Sequence, residues 1–352
     1  MKAKYLKNKL FKFGLIVTLS LLLMSCETVG YYSQSVVGHS KLMLARQPID
    51  KAINKVSEKD KPFLVLTKSL RQYAVDELGL PANNSYLSYV DLKRQHPVWS
   101  VVAVPEFSIH PEVWCYPVIG CASYRGYFSE KAANRYAAKM QKKGLETLVG
   151  GVTAYSTLGW FNDPLIPTMF RYGEIPLAEV IFHELAHQQL YVNGNSAFNE
   201  AFATVVGEHG TLQWLRMNRP DQVAAYQERM QVRNDFSELI KSIKLELKKV
   251  YRLDITEVDK RQRKQAVFSQ LKQDYDVLKS ERWQGKAWYG GWFKRPINNA
   301  RLAAFATYRD LVPQFEILLA ACENDFPRFY QTVALQKKQG KDAIIAKECI
   351  TL

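Results

Sequence analysis

The sequence predicts an α+β fold, mainly helical, with a small sheet and a helical hairpin insertion. Within the charged stretch 221–284, Phe236, Ile240, Ile243, Leu247 and Val250 recur at spacings of 4, 3, 4 and 3 residues. Phe268, Leu271, Tyr275 and Leu278 continue the pattern, which is the seam of two antiparallel helices turning near Asp254 to Lys260. Val98 to Val104, rich in valine and bounded by Pro97 and Pro105, reads as a strand. Apolar residues three or four apart predict helices elsewhere, and no internal repeat is present.

The chain opens with Lys2, Lys4, Lys7, Lys9 and Lys12, then the apolar run Phe13 to Met24. This is the pattern of an export signal over residues 1–25, too short for a lasting membrane span. Leu23-Met24-Ser25-Cys26 resembles a bacterial lipobox, which makes Cys26 the expected lipidation site. By the same resemblance, Glu27 favours sorting to the outer membrane, with the protein facing the periplasm. Removing the five leader lysines lowers the formal charge from +14 to +9. Export excludes nucleic acid as a partner. Residues 241–286 hold thirteen basic and seven acidic side chains, read as a solvated helical face. Once Cys26 is lipidated, four cysteines remain for an oxidising compartment. The short loop between Cys115 and Cys121 favours that pair, leaving Cys322 with Cys349.

Residues 26–125 form the N-terminal helical and strand region. A linker leads into a helix from Lys41, and a second helix covers Phe63 to Leu78, stopped by Gly79 and Pro81. His39 is read as structural. The segment 126–220 is the core carrying the chemistry, with a helix over Lys131 to Lys142 and a strand over Gly150 to Gly159. Residues 221–290 are the charged hairpin. Residues 291–352 complete the catalytic domain, with a helix over Asn298 to Tyr308.

The chemistry centres on His183-Glu184-Leu185-Ala186-His187. Residues four apart on a helix share a face, so the two imidazoles can hold one zinc ion. Glu184 then reaches the water on that ion and serves as the base. A third ligand is needed, and Glu200 is the first choice, because the turn Tyr191 to Asn195 lets a second helix present it. Glu208 and its neighbour His209 are the rivals. Tyr308, with Tyr155 behind it, is the candidate hydrogen-bond donor to the oxyanion. Glu174, Glu179 and Asp163 are candidates for holding a substrate's amine.

Asn199-Glu200-Ala201-Phe202-Ala203 resembles the zinc-ligand segment of the gluzincins, although the spacing from His187 is shorter and Thr204 stands where an aspartate is common. Trp114 to Pro117, Tyr124 to Phe128, Ala154 to Pro164, the metal segment and Asn298 to Tyr308 are together similar to the predicted aminopeptidase family of bacterial lipoproteins. The resemblance covers essentially the whole mature chain. It implies a zincin-like metallopeptidase core, zinc as cofactor and a peptide substrate. The zinc and base roles fall on His183, His187, Glu200 and Glu184. Two alternatives stand beside an aminopeptidase: a zinc endopeptidase, and a non-catalytic envelope lipoprotein whose hairpin binds a partner.

Overall fold

The computed structural model describes residues 28–116, 120–337 and 348–350. The export signal and Cys26 lie outside them. The first helix, α1, covers residues 28–44, where a linker was expected up to Lys41. Gly30 and Gly38 read as breakers, but packing overrides that preference. A Cβ on Gly38 would stand 2.1 Å from the Phe128 ring, so glycine is what lets α1 lie against it. Tyr31 packs on Tyr116 and Tyr127, with the Arg125 guanidinium 3.9 Å from its ring centre.

A two-stranded pair, β1 (Gln47–Pro48) and β2 (Ser88–Tyr89), brackets α2 (Ile49–Ala52) and α3 (Lys61–Asp76). The main sheet has the order β6-β3-β7, antiparallel throughout: β3 is Trp99–Pro105, β6 Arg125–Tyr127 and β7 Leu145–Gly151. Between β3 and β6 lies the hairpin of β4 (Trp114–Tyr116) and β5 (Gly120–Ala122), closed by the Cys115–Cys121 disulfide. Helix α4 (Glu130–Gln141), capped by the Ser129 side chain, packs on this sheet.

The strand expected over Gly150 to Gly159 falls instead over Leu145–Gly151. All seven residues of β7 pair with β3, from Trp99↔Gly151 to Pro105↔Leu145. That ladder outweighs the β-propensity of Val152 to Thr157, which lie in irregular chain.

The remainder is helical. Helices α5 (Glu174–Gln189) and α6 (Ser196–Asn218) make the most extensive helix pair. Next come α7 (Val223–Tyr251) and α8 (Glu257–Glu281), the expected hairpin, with Phe236, Ile240, Ile243, Leu247, Phe268, Leu271 and Tyr275 buried along its seam. The short α9 (Gly290–Phe293) leads to α10 (Asn299–Arg309), α11 (Val312–Ala321) and α12 (Phe326–Lys337). Cys322–Cys349 forms the second disulfide. The main core joins α3, α5, α6, α11 and α12 through Leu64, Phe182, Phe198, Phe202, Phe315 and Phe329.

The hairpin is more than a solvated arm. Lys264 is 2 % exposed; its ammonium donates to the Glu106 carbonyl at 2.8 Å and pairs with Glu146 on β7. Glu146 also accepts from the Asn299 backbone N–H at 2.6 Å, so one carboxylate ties hairpin, sheet and α10 together. No helix of the described residues is long and apolar enough to cross a membrane.

Candidate active site

The α5 sequence places His183 and His187 one turn apart, with ring centres 4.8 Å from each other. The chain then turns through Gly194, whose φ of +79° suits glycine, and Asn195 caps α6 by accepting from the Phe198 N–H at 3.1 Å. Asn199 fixes this connection from inside. Its Oδ1 accepts from the Val192 N–H at 2.7 Å and its Nδ2 donates to the Val192 carbonyl at 2.8 Å. The next residue, Glu200, is thereby aimed back at α5.

Gly207 allows the two helices to approach closely. A Cβ there would lie 2.9 Å from the Glu179 carbonyl and 3.2 Å from His183 Cβ. Its conformation is ordinary for a helix; space is what requires glycine.

Glu200 Oε2 stands 3.3 Å from His183 Nε2 and 3.5 Å from His187 Nε2. The three ligand atoms all lie within 4.8 Å of one another, and among the described residues no other such cluster of three metal-ligating side chains occurs. Hydrogen bonds of this type peak near about 2.9 Å, so these contacts are long. A tetrahedral zinc with bonds of about 2.0–2.1 Å has ligand–ligand edges of about 3.3–3.4 Å. The donor set and the two spacings from Glu200 therefore suit a tetrahedral divalent ion such as zinc. His187 Nδ1 is buried and has no hydrogen-bond partner among the described residues.

Electrostatics agree with this grouping. Burial alone would raise the pKa of Glu200, but His187 and His183 outweigh it and bring the carboxyl to about 2. Burial lowers the pKa of His183, and Glu200 with Glu184 turns the net shift upward. The Glu200 carboxylate, with burial, Tyr124 and Glu184, pushes the Tyr308 phenol well above its ordinary value. Tyr308 thus keeps its proton and remains a donor. As a whole residue it is 43 % exposed.

Tyr124 was not singled out from the sequence. Burial, then Glu200, Tyr191 and Glu184, raises its pKa, so this phenol feels the field of the same carboxylates as Tyr308. Its only sequence signal was its place in the Tyr-Arg-Gly-Tyr-Phe segment. Tyr155 is occupied elsewhere, since its hydroxyl bonds His39 Nδ1 at 2.8 Å.

The rival ligand is tied up. Glu208 Oε1 accepts from Arg233 at 2.7 Å and from Arg309 at 2.6 Å, and His209 faces Glu316 at 3.4 Å. The three amine-holding candidates are also engaged. Glu174 pairs with Arg219, and Glu179 with Arg233 and the Tyr226 hydroxyl. Asp163 is fully buried and takes the Thr157 N–H and hydroxyl, each at 2.8 Å.

A model of the family described as "Putative aminopeptidase" matches residues 30–344. No curated protein and no solved structure matches the chain.

Proposed function

The chain belongs to that aminopeptidase family, and on that premise we propose that it is a zinc-dependent peptidase removing residues from the N-terminus of peptides. The observation that carries the metal reading is the spacing of Glu200 Oε2 to the two Nε2 atoms, 3.3 and 3.5 Å. His183, His187 and Glu200 would hold the ion. Zinc bound there supplies a Lewis acid for a peptide carbonyl and makes adjacent water acidic near pH 7.

The chain's own residues do the rest. Glu184, between the two histidines, accepts a proton from the attacking water as the new C–O bond forms. It returns that proton to the nitrogen as the C–N bond breaks, and the acid's remaining proton passes to the released amine, so the products are a carboxylate and an ammonium. Tyr308 donates its O–H to the oxygen on which negative charge develops. Tyr124 shares the Glu200 and Glu184 field. The reading includes a lipid anchor at Cys26 and an outer-membrane location facing the periplasm, supported by the leader and lipobox pattern.

A second reading is an endopeptidase. It is favoured by the engagement of Glu179 with Arg233 and Tyr226 and of the buried Asp163 with Thr157, while Glu174 faces Arg219 at the surface. Peptides of one sequence, free and N-acetylated, separate the two when incubated with the zinc-loaded protein. An aminopeptidase cleaves the free peptide at its first bond and spares the acetylated one. Equal internal cleavage of both makes it an endopeptidase, and cleavage of neither removes the peptidase reading.

A further inference from the structure

We propose that the outward face of α1, with the adjoining loop at Trp160 and Phe161, lies on the lipid bilayer surface. The inference rests on the reading that the chain is membrane-held at its N-terminal end. Val29, Val36, Val37 and Leu44 are 59, 63, 50 and 86 % exposed. At 100° per residue they fall within an arc of about 100° on one side of α1. The opposite side is the packed one, with Tyr31 on Tyr127, Gly38 against Phe128 and Leu42 in the main core. Residues 28–44 include one charged side chain, Lys41, at the edge of that arc, and the small Ser33 and Ser40 lie within it. A helix with a single charge, one buried face and one exposed, mainly apolar face is suited to meet a second apolar phase.

The loop extends this surface. Trp160 and Phe161 are 69 and 52 % exposed. The Phe161 ring lies 4.7 Å from that of His39, one turn beyond Val36 on α1, and Arg46 donates to the Asn162 carbonyl at 2.6 Å. Aromatic residues of this kind suit the interfacial layer of a membrane.

The occupant follows from where the chain enters. Cys26 is two residues before Thr28, the first described residue of α1, a reach of about 7 Å at full extension. With the lipidated Cys26 in the bilayer, residue 28 of α1 lies close to its surface. An apolar face running the length of a helix so placed meets lipid. The loop from Leu158 to Asp163, which borders α5 at Gln188, then brings the active-site side of the molecule close to the membrane.

The test uses the full chain in vesicles of phosphatidylethanolamine and phosphatidylglycerol. Val36→Cys, Leu44→Cys and Trp160→Cys carry a nitroxide, with Leu245→Cys on α7 as the water-exposed reference. Collision of each label with oxygen and with a nickel chelate is measured. The oxygen-to-nickel ratio is expected to be roughly threefold or more higher at 36, 44 and 160 than at 245, as for groups in the acyl boundary. Equal ratios at all four positions overturn the proposal. So does spin–spin broadening at 36 with water-like access, which means that a second copy covers the face. The mass of the N-terminal peptide reports separately whether Cys26 carries diacylglycerol. An unmodified Cys26 sinks the anchor reading, while the accessibility ratios still decide the face.

Discussion

At Glu200, burial and charge pull in opposite directions, and charge wins. A carboxylate 7 % exposed would normally take up a proton, yet two imidazoles at 3.3 and 3.5 Å keep it ionised. A pre-ionised carboxylate among neutral-capable imidazoles is ready for a divalent cation. Asp163 shows the opposite balance. Burial raises its pKa to about 7, with Glu184 adding to the rise and Thr157 opposing it. In the unfolded chain it ionises near about 3.9. The native state therefore holds a proton that the unfolded state has lost, so Asp163 lowers stability progressively as pH rises from about 4 to about 7. Asp163→Asn should flatten this slope. The thermal midpoint of the variant relative to the parent should rise between pH 4 and pH 8, and a constant difference would mean that Asp163 titrates normally.

The pairing of α5 with α6 decides the geometry at the scale of elements. Asn199 staples the connection and Gly207 sets the distance, so neither has to touch a substrate to matter. Gly207→Ala would drive a methyl against the Glu179 carbonyl and His183. Overpacking of this kind costs about 1–3 kcal/mol, and separating the helices lengthens the span from His183 to Glu200. Zinc affinity measured by competition with a chelator should fall along with stability. Unchanged affinity in a destabilised protein would show that the ligand geometry does not depend on this contact.

The His-Glu-x-x-His element was legible in the sequence because its geometry is local: one helix, one turn, five residues. The hairpin was legible for the same reason, its seam being written in a single periodicity. What the sequence did not show depended on distant partners. Tyr124 reaches the site because β6 pairs with β3. The Glu208 rival is excluded by arginines 25 and 101 positions away. Helix α1 was hidden because Gly38 breaks helices in isolation yet is required where Phe128 packs. The start of β7 was misplaced because register with β3, not composition, chose it.

Over the whole molecule, one largely buried ionic network joins the hairpin and α10 to α5 and α6. Glu208 on α6 binds Arg233 of α7 and Arg309 of α10, and Arg233 also binds Glu179 on α5. Arg309 adjoins Tyr308, so the network also sets where α10 presents that hydroxyl. Burial would raise the pKa of Glu208, but Arg309 and Arg233 reverse this and hold it below its ordinary value. Its contribution is therefore complete above the unfolded carboxylate's pKa and is lost as pH falls below it. Glu208→Ala should cost about 3–5 kcal/mol at pH 7, since it leaves the buried Arg309 guanidinium without its carboxylate. The penalty in denaturant unfolding should shrink at acid pH; a loss under about 1 kcal/mol would show that the network is not load-carrying.

The central claim, that the α5–α6 site is a zinc-dependent peptidase centre, is tested most directly by metal content and peptide cleavage measured side by side. The comparison is between the native protein, Glu184→Gln and Glu200→Ala. The native protein should bind zinc and cleave. Glu184→Gln should bind the same zinc but cleave about 10²–10⁴-fold more slowly, because its proton acceptor is gone. Glu200→Ala should lose both. Normal zinc binding by Glu200→Ala, or native-like cleavage by zinc-loaded Glu184→Gln, would contradict the account.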